Sequence, residues 1–310
     1  MKLQNAEKKK IFRQNLEKSY SLLWFVLPGA ILLFLFNYMP MGGLIIAFQD
    51  YKIGKGMLAS EWVGLQNFID VFTGMDFFPV LKNTIVISFL KIICGFPAPI
   101  ILALCLNEVR GKVFKSTVQT ISYLPHFFSW VVLGGIIMML FSTTGPINYI
   151  LKLFGLDESI VFFGDGTFFI IMLIVTNIMQ SVGWSAIIYM AAISGVDNSI
   201  IEAARIDGAG RFRQVMHVII PSIIPTIITT LILNMGGILN AGFDQILNLY
   251  NPMVYDVADI IDTYVLRKLE AMDYSMGTAV GLFKSVVSMI FVLGTNYITK
   301  KMSDDELGIM

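Results

Sequence analysis

Three observations predict an all-α, polytopic membrane fold. Apolar residues fill 56% of the 310 positions and charged residues only 14%, a balance outside the range of soluble domains. The apolar residues gather into six runs, each long enough to supply the about 20 helical residues that cross a hydrocarbon layer. Basic residues cluster in alternate gaps between those runs, the bias that sets how such a bundle is threaded.

The runs cover about 21–48, 80–106, 120–141, 167–191, 217–240 and 277–299. They form one transmembrane unit, 21–299, between an N-terminal tail, 1–20, and a C-terminal tail, 300–310. Lys2, Lys8, Lys9, Lys10, Arg13 and Lys18 mark the first tail as cytoplasmic. Arg110, Lys112 and Lys115 do the same for the second connection, and Arg205, Arg211 and Arg213 for the fourth. With Lys300 and Lys301 at the end, both termini are expected in the cytoplasm. A cleaved secretory signal is the rival account of the basic start. It is disfavoured because the first apolar run exceeds an ordinary signal core and Asn37–Gly43 has no small-residue cleavage pattern.

In the loop after the first run, Trp62 and Phe68 are read either as interface anchors of a short helix or as contacts to an external partner. Cys94 and Cys105 share the second run, about 16 Å apart on a helix, too far for a disulfide. Lys91 falls near the middle of that run and is assigned to a wet cavity. Lys284, near the end of the sixth, is expected to snorkel. Asn83, Thr84, Asn177, Gln180, Asn234 and Asn240 suggest a polar path across several helices, helix-to-helix hydrogen bonding being the plainer role of each. Trp184 either joins that path or anchors at the lipid interface. Residues 257–272 are expected to lie as an amphipathic helix on the outer surface.

No run has Asp or Glu at its centre, which disfavours an ion-coupled carrier. His126 and His217 stand in different contexts and no metal-ligand spacing occurs, so no metal site is expected. Gly54-Lys55 and Gly111-Lys112 lack the Ser/Thr and the preceding glycine of a phosphate cradle. No cofactor is expected on this chain and no nucleic-acid partner. If ATP drives it, another chain binds the nucleotide.

The polar segment 197–221, set between two apolar runs, reads as helix, glycine hinge, helix. Ser199 and Glu202 have capping-box spacing, with Asp197 and Asn198 as other caps, and Gly208 sits where a helix ends in a left-handed residue. Glu202-Ala203-Ala204, Asp207-Gly208-Ala209 and Pro221 resemble the EAA motif of the membrane subunits of binding-protein-dependent ABC importers. Val215 departs from the aromatic usual there, and Val218 from the usual Ile. Leu27-Pro28-Gly29, Tyr38-Met39-Pro40, Leu124-Pro125 and Trp62 to Phe68 look like the carbohydrate-uptake branch.

The resemblance implies a type I permease whose cytoplasmic coupling helix docks in an ATPase subunit, through Glu202, Ala203, Ala204, Asp207, Gly208, Ala209 and Pro221. It further implies a bacterial inner-membrane location, a second homologous permease as heterodimer partner and two ATPase subunits holding ATP and Mg. An extracellular binding protein would deliver a sugar, expected to be an oligosaccharide. The chain itself is then a transport subunit and no enzyme. Asn177, Gln180, Trp184, Asn234 and Asn240 are the candidates for its sugar path. A secondary carrier, or a membrane-embedded enzyme or assembly factor for lipid-linked sugars, remains as the alternative.

Overall fold

The computed structural model describes residues 24–155 and 158–302. The first tail, 1–20, the start of the first run and residues 303–310 lie outside the described residues. Among the described residues five helices are long and apolar enough to cross a membrane, six if one bent pair is counted as a single span.

The first, α1 (Trp24–Phe48), is bordered by a short antiparallel pair, β1 (Gln49–Asp50) with β2 (Glu61–Trp62), and by α2 (Gln66–Thr73). Trp62 is in a strand and stacks on Phe48 with centroids 5.8 Å apart, while Phe68 tilts against the same ring at 5.4 Å. The Asn67 amide donates to the carbonyls of Ala47 and Gln49, at 2.9 and 3.0 Å. The motif thus clamps the end of α1, with Trp62 still largely exposed.

The second span runs through α3 (Phe77–Gly95) into α4 (Pro97–Glu108). Pro97 is tolerated because it opens the second half, where its missing N–H leaves little unsatisfied. The third run is not a straight helix. α5 (Lys112–Tyr123), continued by a 3-10 turn at Leu124–Phe127, meets α6 (Trp130–Leu140) at 103°. Pro125 cannot extend the α-ladder, Phe128 is extended, and Ser129 restarts a helix by accepting from the Val132 N–H. After α7 (Pro146–Leu153) come α8 (Gly166–Ser194), α9 (Asn198–Ile206) and α10 (Arg211–Gly236).

Proline also explains two widened turns. Phe34–Tyr38 and Val215–Ile219 are π-helical, and each ends two residues before a proline, Pro40 and Pro221. In the second, the Ile220 N–H reaches back five residues to the Val215 carbonyl. A proline ring crowds the carbonyl four residues earlier, and the wider turn relieves it.

The segment after α10 departs most from expectation. In place of an amphipathic helix lying on the surface, α11 (Phe243–Leu249) and α12 (Ile261–Glu270) fold back into the bundle before the last span, α13 (Tyr274–Met302). Ile246, Leu249, Val254 and Ile260 are fully buried with Ile87 of α3, Ile137 of α6 and Phe169 and Leu173 of α8. Asn83 and Thr84 serve this packing: Asn83 donates to the Asp256 carbonyl, and Thr84 Oγ1 accepts from the Ile261 N–H at 2.9 Å. A second apolar core, of Ala103, Ala186, Tyr189, Ile193, Ile219 and Ile223, joins α4, α8 and α10 at the end that carries α9.

Lys284 does not snorkel. Its Nζ binds both carboxylate oxygens of Asp262 at 2.6 Å and the Asn240 Oδ1 at 2.7 Å, latching α12 and the end of α10 to α13. Removing one member of such a largely desolvated pair costs about 3–5 kcal/mol. Asp262→Ala is therefore expected to lower the melting temperature clearly, and Asp262→Ala with Lys284→Met to recover part of the loss, as scanning fluorimetry of the two variants would read.

Candidate functional site

Two features stand out, one at each level of the bundle. The first is the turn between α9 and α10. Asp197, in place of Ser199, is the N-cap, and its Oδ1 accepts from the Ser199 N–H at 2.8 Å. That bond holds the Asp197 carboxyl below its ordinary value. The cap therefore persists through neutral pH and is lost only as pH falls through the lowered value. Ser199 falls inside the helix, so the capping box with Glu202 does not form. Glu202 is exposed and makes no ion pair among the described residues.

The other end of α9 explains the spacing of the motif. The Gly208 N–H donates to the Arg205 carbonyl and the Ala209 N–H to that of Ala204, the two bonds of a Schellman closure. Gly208 has φ +78°, as its place in the sequence requires. Gln214 Nε2 then donates to the Ala209 carbonyl at 2.6 Å, fixing the turn to α10. Arg211 pairs with Glu108 at 2.7 Å, tying the turn to the end of α4. Ile206 and Phe212 remain largely exposed on either side of the glycine. Ala203 and Asp207 are exposed too, and Pro221 stands beyond the π-turn described above. The arrangement is a stiff, capped knob with apolar and acidic side chains presented outward.

The second feature is a cavity of about 400 Å³ between the two cores, bounded by α3, α4, α8 and α10 and by the reversal at Ala241 and Gly242. Asn177, Asn234 and Asn240 line it, as does Lys91. Gln180 and Trp184 do not. Gln180 turns toward the Phe128 carbonyl, 3.5 Å away, and Trp184 stacks flat on His126 with centroids 4.6 Å apart. Those two belong to the face of α8 that α5 crosses.

The polar lining that sequence reasoning missed is Ser181, Ser185, Tyr189 and Thr230. A signal for it exists. Asn177, Ser181 and Ser185 recur every four residues along α8, and Thr230 and Asn234 do so along α10, each set one helical face. Among the described residues no group of His, Cys, Asp and Glu has the makings of a metal site.

The model of the family described as "binding-protein-dependent transport system inner membrane component" matches residues 95–304. Protein LplB of Bacillus subtilis is 44% identical over 91% of this chain and 89% of its own length. The polygalacturonan/rhamnogalacturonan transport system permease protein YteP of the same organism is 43% identical over 96% and 93%. In a crystal structure of a bacterial alginate ABC transporter, in complex with alginate pentasaccharide-bound periplasmic protein, one chain aligns with a TM-score of 0.87. It is 35% identical, over 96% of this chain and 99% of that one. The matched residues include the capped turn at Gly208 and most of the cavity wall, and the chain belongs to the inner-membrane permease subunits of binding-protein-dependent ABC importers.

Proposed function

We propose that the chain forms one half of the translocation pathway for an oligosaccharide. The observation that carries this reading is the cavity wall. It offers amides and hydroxyls at Asn177, Ser181, Ser185, Thr230 and Asn234, beside the apolar faces of Phe96 and Tyr189. Sugars present both surfaces, hydroxyls to hydrogen-bond and flat ring faces to pack. The names of relatives point to the same class, polygalacturonan and rhamnogalacturonan for one and alginate for another.

A second, homologous permease supplies the other half, in a heterodimer. Two ATPase subunits, which hold ATP and Mg, seat the α9 knob, with Glu202 facing a basic residue and Ile206 and Phe212 filling apolar ground. An extracellular binding protein delivers the sugar at the opposite end, and both termini are cytoplasmic, in keeping with the distribution of Lys and Arg.

Co-purification in mild detergent, followed by uptake of labelled oligosaccharide into proteoliposomes loaded with ATP, tests the arrangement. Glu202→Lys reverses an interface charge, a change worth about 2–5 kcal/mol where the pair is desolvated. Recovery of the ATPase with this variant should fall at least tenfold while the permease still inserts. Normal recovery and uptake would remove Glu202 from the interface.

A further inference from the structure

Lys91 and Lys284 both lie in apolar spans with little exposure, and the fold treats them differently. Lys284 is neutralised by Asp262. Lys91, only 9% exposed, lies in the cavity wall and has no carboxylate within ion-pair distance among the described residues. Its Nζ donates to the Ala241 carbonyl at 2.6 Å and to the Gln245 Oε1, both neutral acceptors. The Gln245 amide is turned this way by its own Nε2, which donates to the Leu173 carbonyl at 2.8 Å and to Thr176 Oγ1 at 2.7 Å.

Among the described residues no Asp or Glu lines the cavity, and Lys91 is the one cationic side chain in its wall. One turn before it on α3, Ser88 belongs to the same wall. Its buried hydroxyl has no hydrogen-bond partner among the described residues.

An ammonium held away from water without a counter-ion leaves a positive potential that low-dielectric walls concentrate into the cavity. A carboxylate supplies the missing charge, whereas a neutral hydroxyl leaves it uncompensated. We propose that the cavity selects anions and that its cargo is an acidic oligosaccharide, a uronate carboxylate meeting Lys91 and an adjacent oxygen meeting the Ser88 hydroxyl. The second half rests on the saccharide reading above; the first does not. The neutral partners also provide for release. Ala241 and Gln245 keep the ammonium hydrogen-bonded when the cargo departs, so the site is not obliged to hold its anion tightly.

Lys91 also braces the reversal at Ala241 and Gly242, whose φ values are +45° and +79°. A test must separate bracing from charge selection. In the assembled complex, with Cys94→Ser and Cys105→Ser, Ser181→Cys places one thiol in the cavity. Its conversion to a mixed disulfide, with methanesulfinate leaving, is timed with 2-sulfonatoethyl methanethiosulfonate and with the cationic trimethylammonium analogue, each relative to its rate on a small thiol in solution. The anionic reagent should be favoured about five- to tenfold. Lys91→Arg should keep the preference and Lys91→Met abolish it. Equal relative rates with Lys91 in place would overturn the anion selectivity, whether or not the methionine variant folds.

Uptake with a fixed binding protein forms the second arm, using trigalacturonate and its methyl ester. Lys91→Met should cut uptake of the acid at least tenfold with Lys91→Arg close to the parent, and undiminished uptake of the acid by Lys91→Met overturns the assignment of cargo. Uptake of neither sugar, with the anionic preference intact, overturns the uronate cargo and supports the selective cavity.

Discussion

Replacing Gly183 with leucine is expected to abolish recovery of folded, monodisperse protein. At this position α5 crosses α8 so closely that a Cβ would overlap the Ser122 carbonyl carbon and oxygen, with the Ser122 Cβ only 2.9 Å away. The obstruction is backbone and cannot rotate aside. Overpacking elsewhere costs about 1–3 kcal/mol because side chains yield; here a helix must move. Small residues at crossings are how membrane helices approach each other without a hydrophobic force between them. Gly183→Ala should already lower the melting temperature, and Gly183→Leu should give only aggregate on size exclusion. A monodisperse leucine variant would mean that the crossing is looser than 2.9 Å implies.

Replacing Gly208 with valine should have the opposite signature: normal insertion and yield, with ATP hydrolysis separated from uptake. Nothing lies within 4 Å of a Cβ built at Gly208, so space is not the constraint. The constraint is φ at +78°, where a β-branched residue is strained by about 1–3 kcal/mol. Valine should therefore open the Schellman closure, free the bonds to Ala204 and Arg205, and let α9 tilt independently of α10. Asparagine, which tolerates the left-handed region, should retain most uptake. Parallel assays of ATP hydrolysis and sugar uptake in proteoliposomes read the outcome. Unimpaired uptake by Gly208→Val would show that the turn is not the rigid link; equal loss with Asn and Val would assign the defect to something other than φ.

The features legible in the sequence were those set locally. Gly208 could be placed because one helix end dictates one backbone conformation, and the spans because hydrocarbon demands long apolar runs. The sequence offers Asp197, Asn198 and Ser199 as caps, and only the backbone decides for Asp197. The third run, 120–141, is continuously apolar around Pro125, and such a pattern does not distinguish one straight span from two helices meeting at 103°. The cavity was half legible. Asn177 and Asn234 stood out as amides, but Ser181 and Ser185 were overlooked because serine is common in such helices. Gln180 and Trp184 have the polarity of lining residues but lie on the face of α8 covered by α5 and the turn after it. Residues 257–272 carry alternating acids and apolar groups, a pattern shared by a surface helix and by one whose acids pair internally. Asp259 with Arg267, at 2.6 Å, and Asp262 with Lys284 decide for the second.

That inward-folded segment also dictates an order of biogenesis. Its partners, Asn83, Thr84, Phe163 and Leu173, are synthesised 72 to 177 residues before the groups they bind. Earlier helices must therefore wait in the bilayer with their mating surfaces unmet, and α13 locks the assembly only when Lys284 reaches Asp262. Translation of the last span is thus the moment of commitment, and a ribosome stalled before it would leave a nearly full-length chain exposed to membrane proteases.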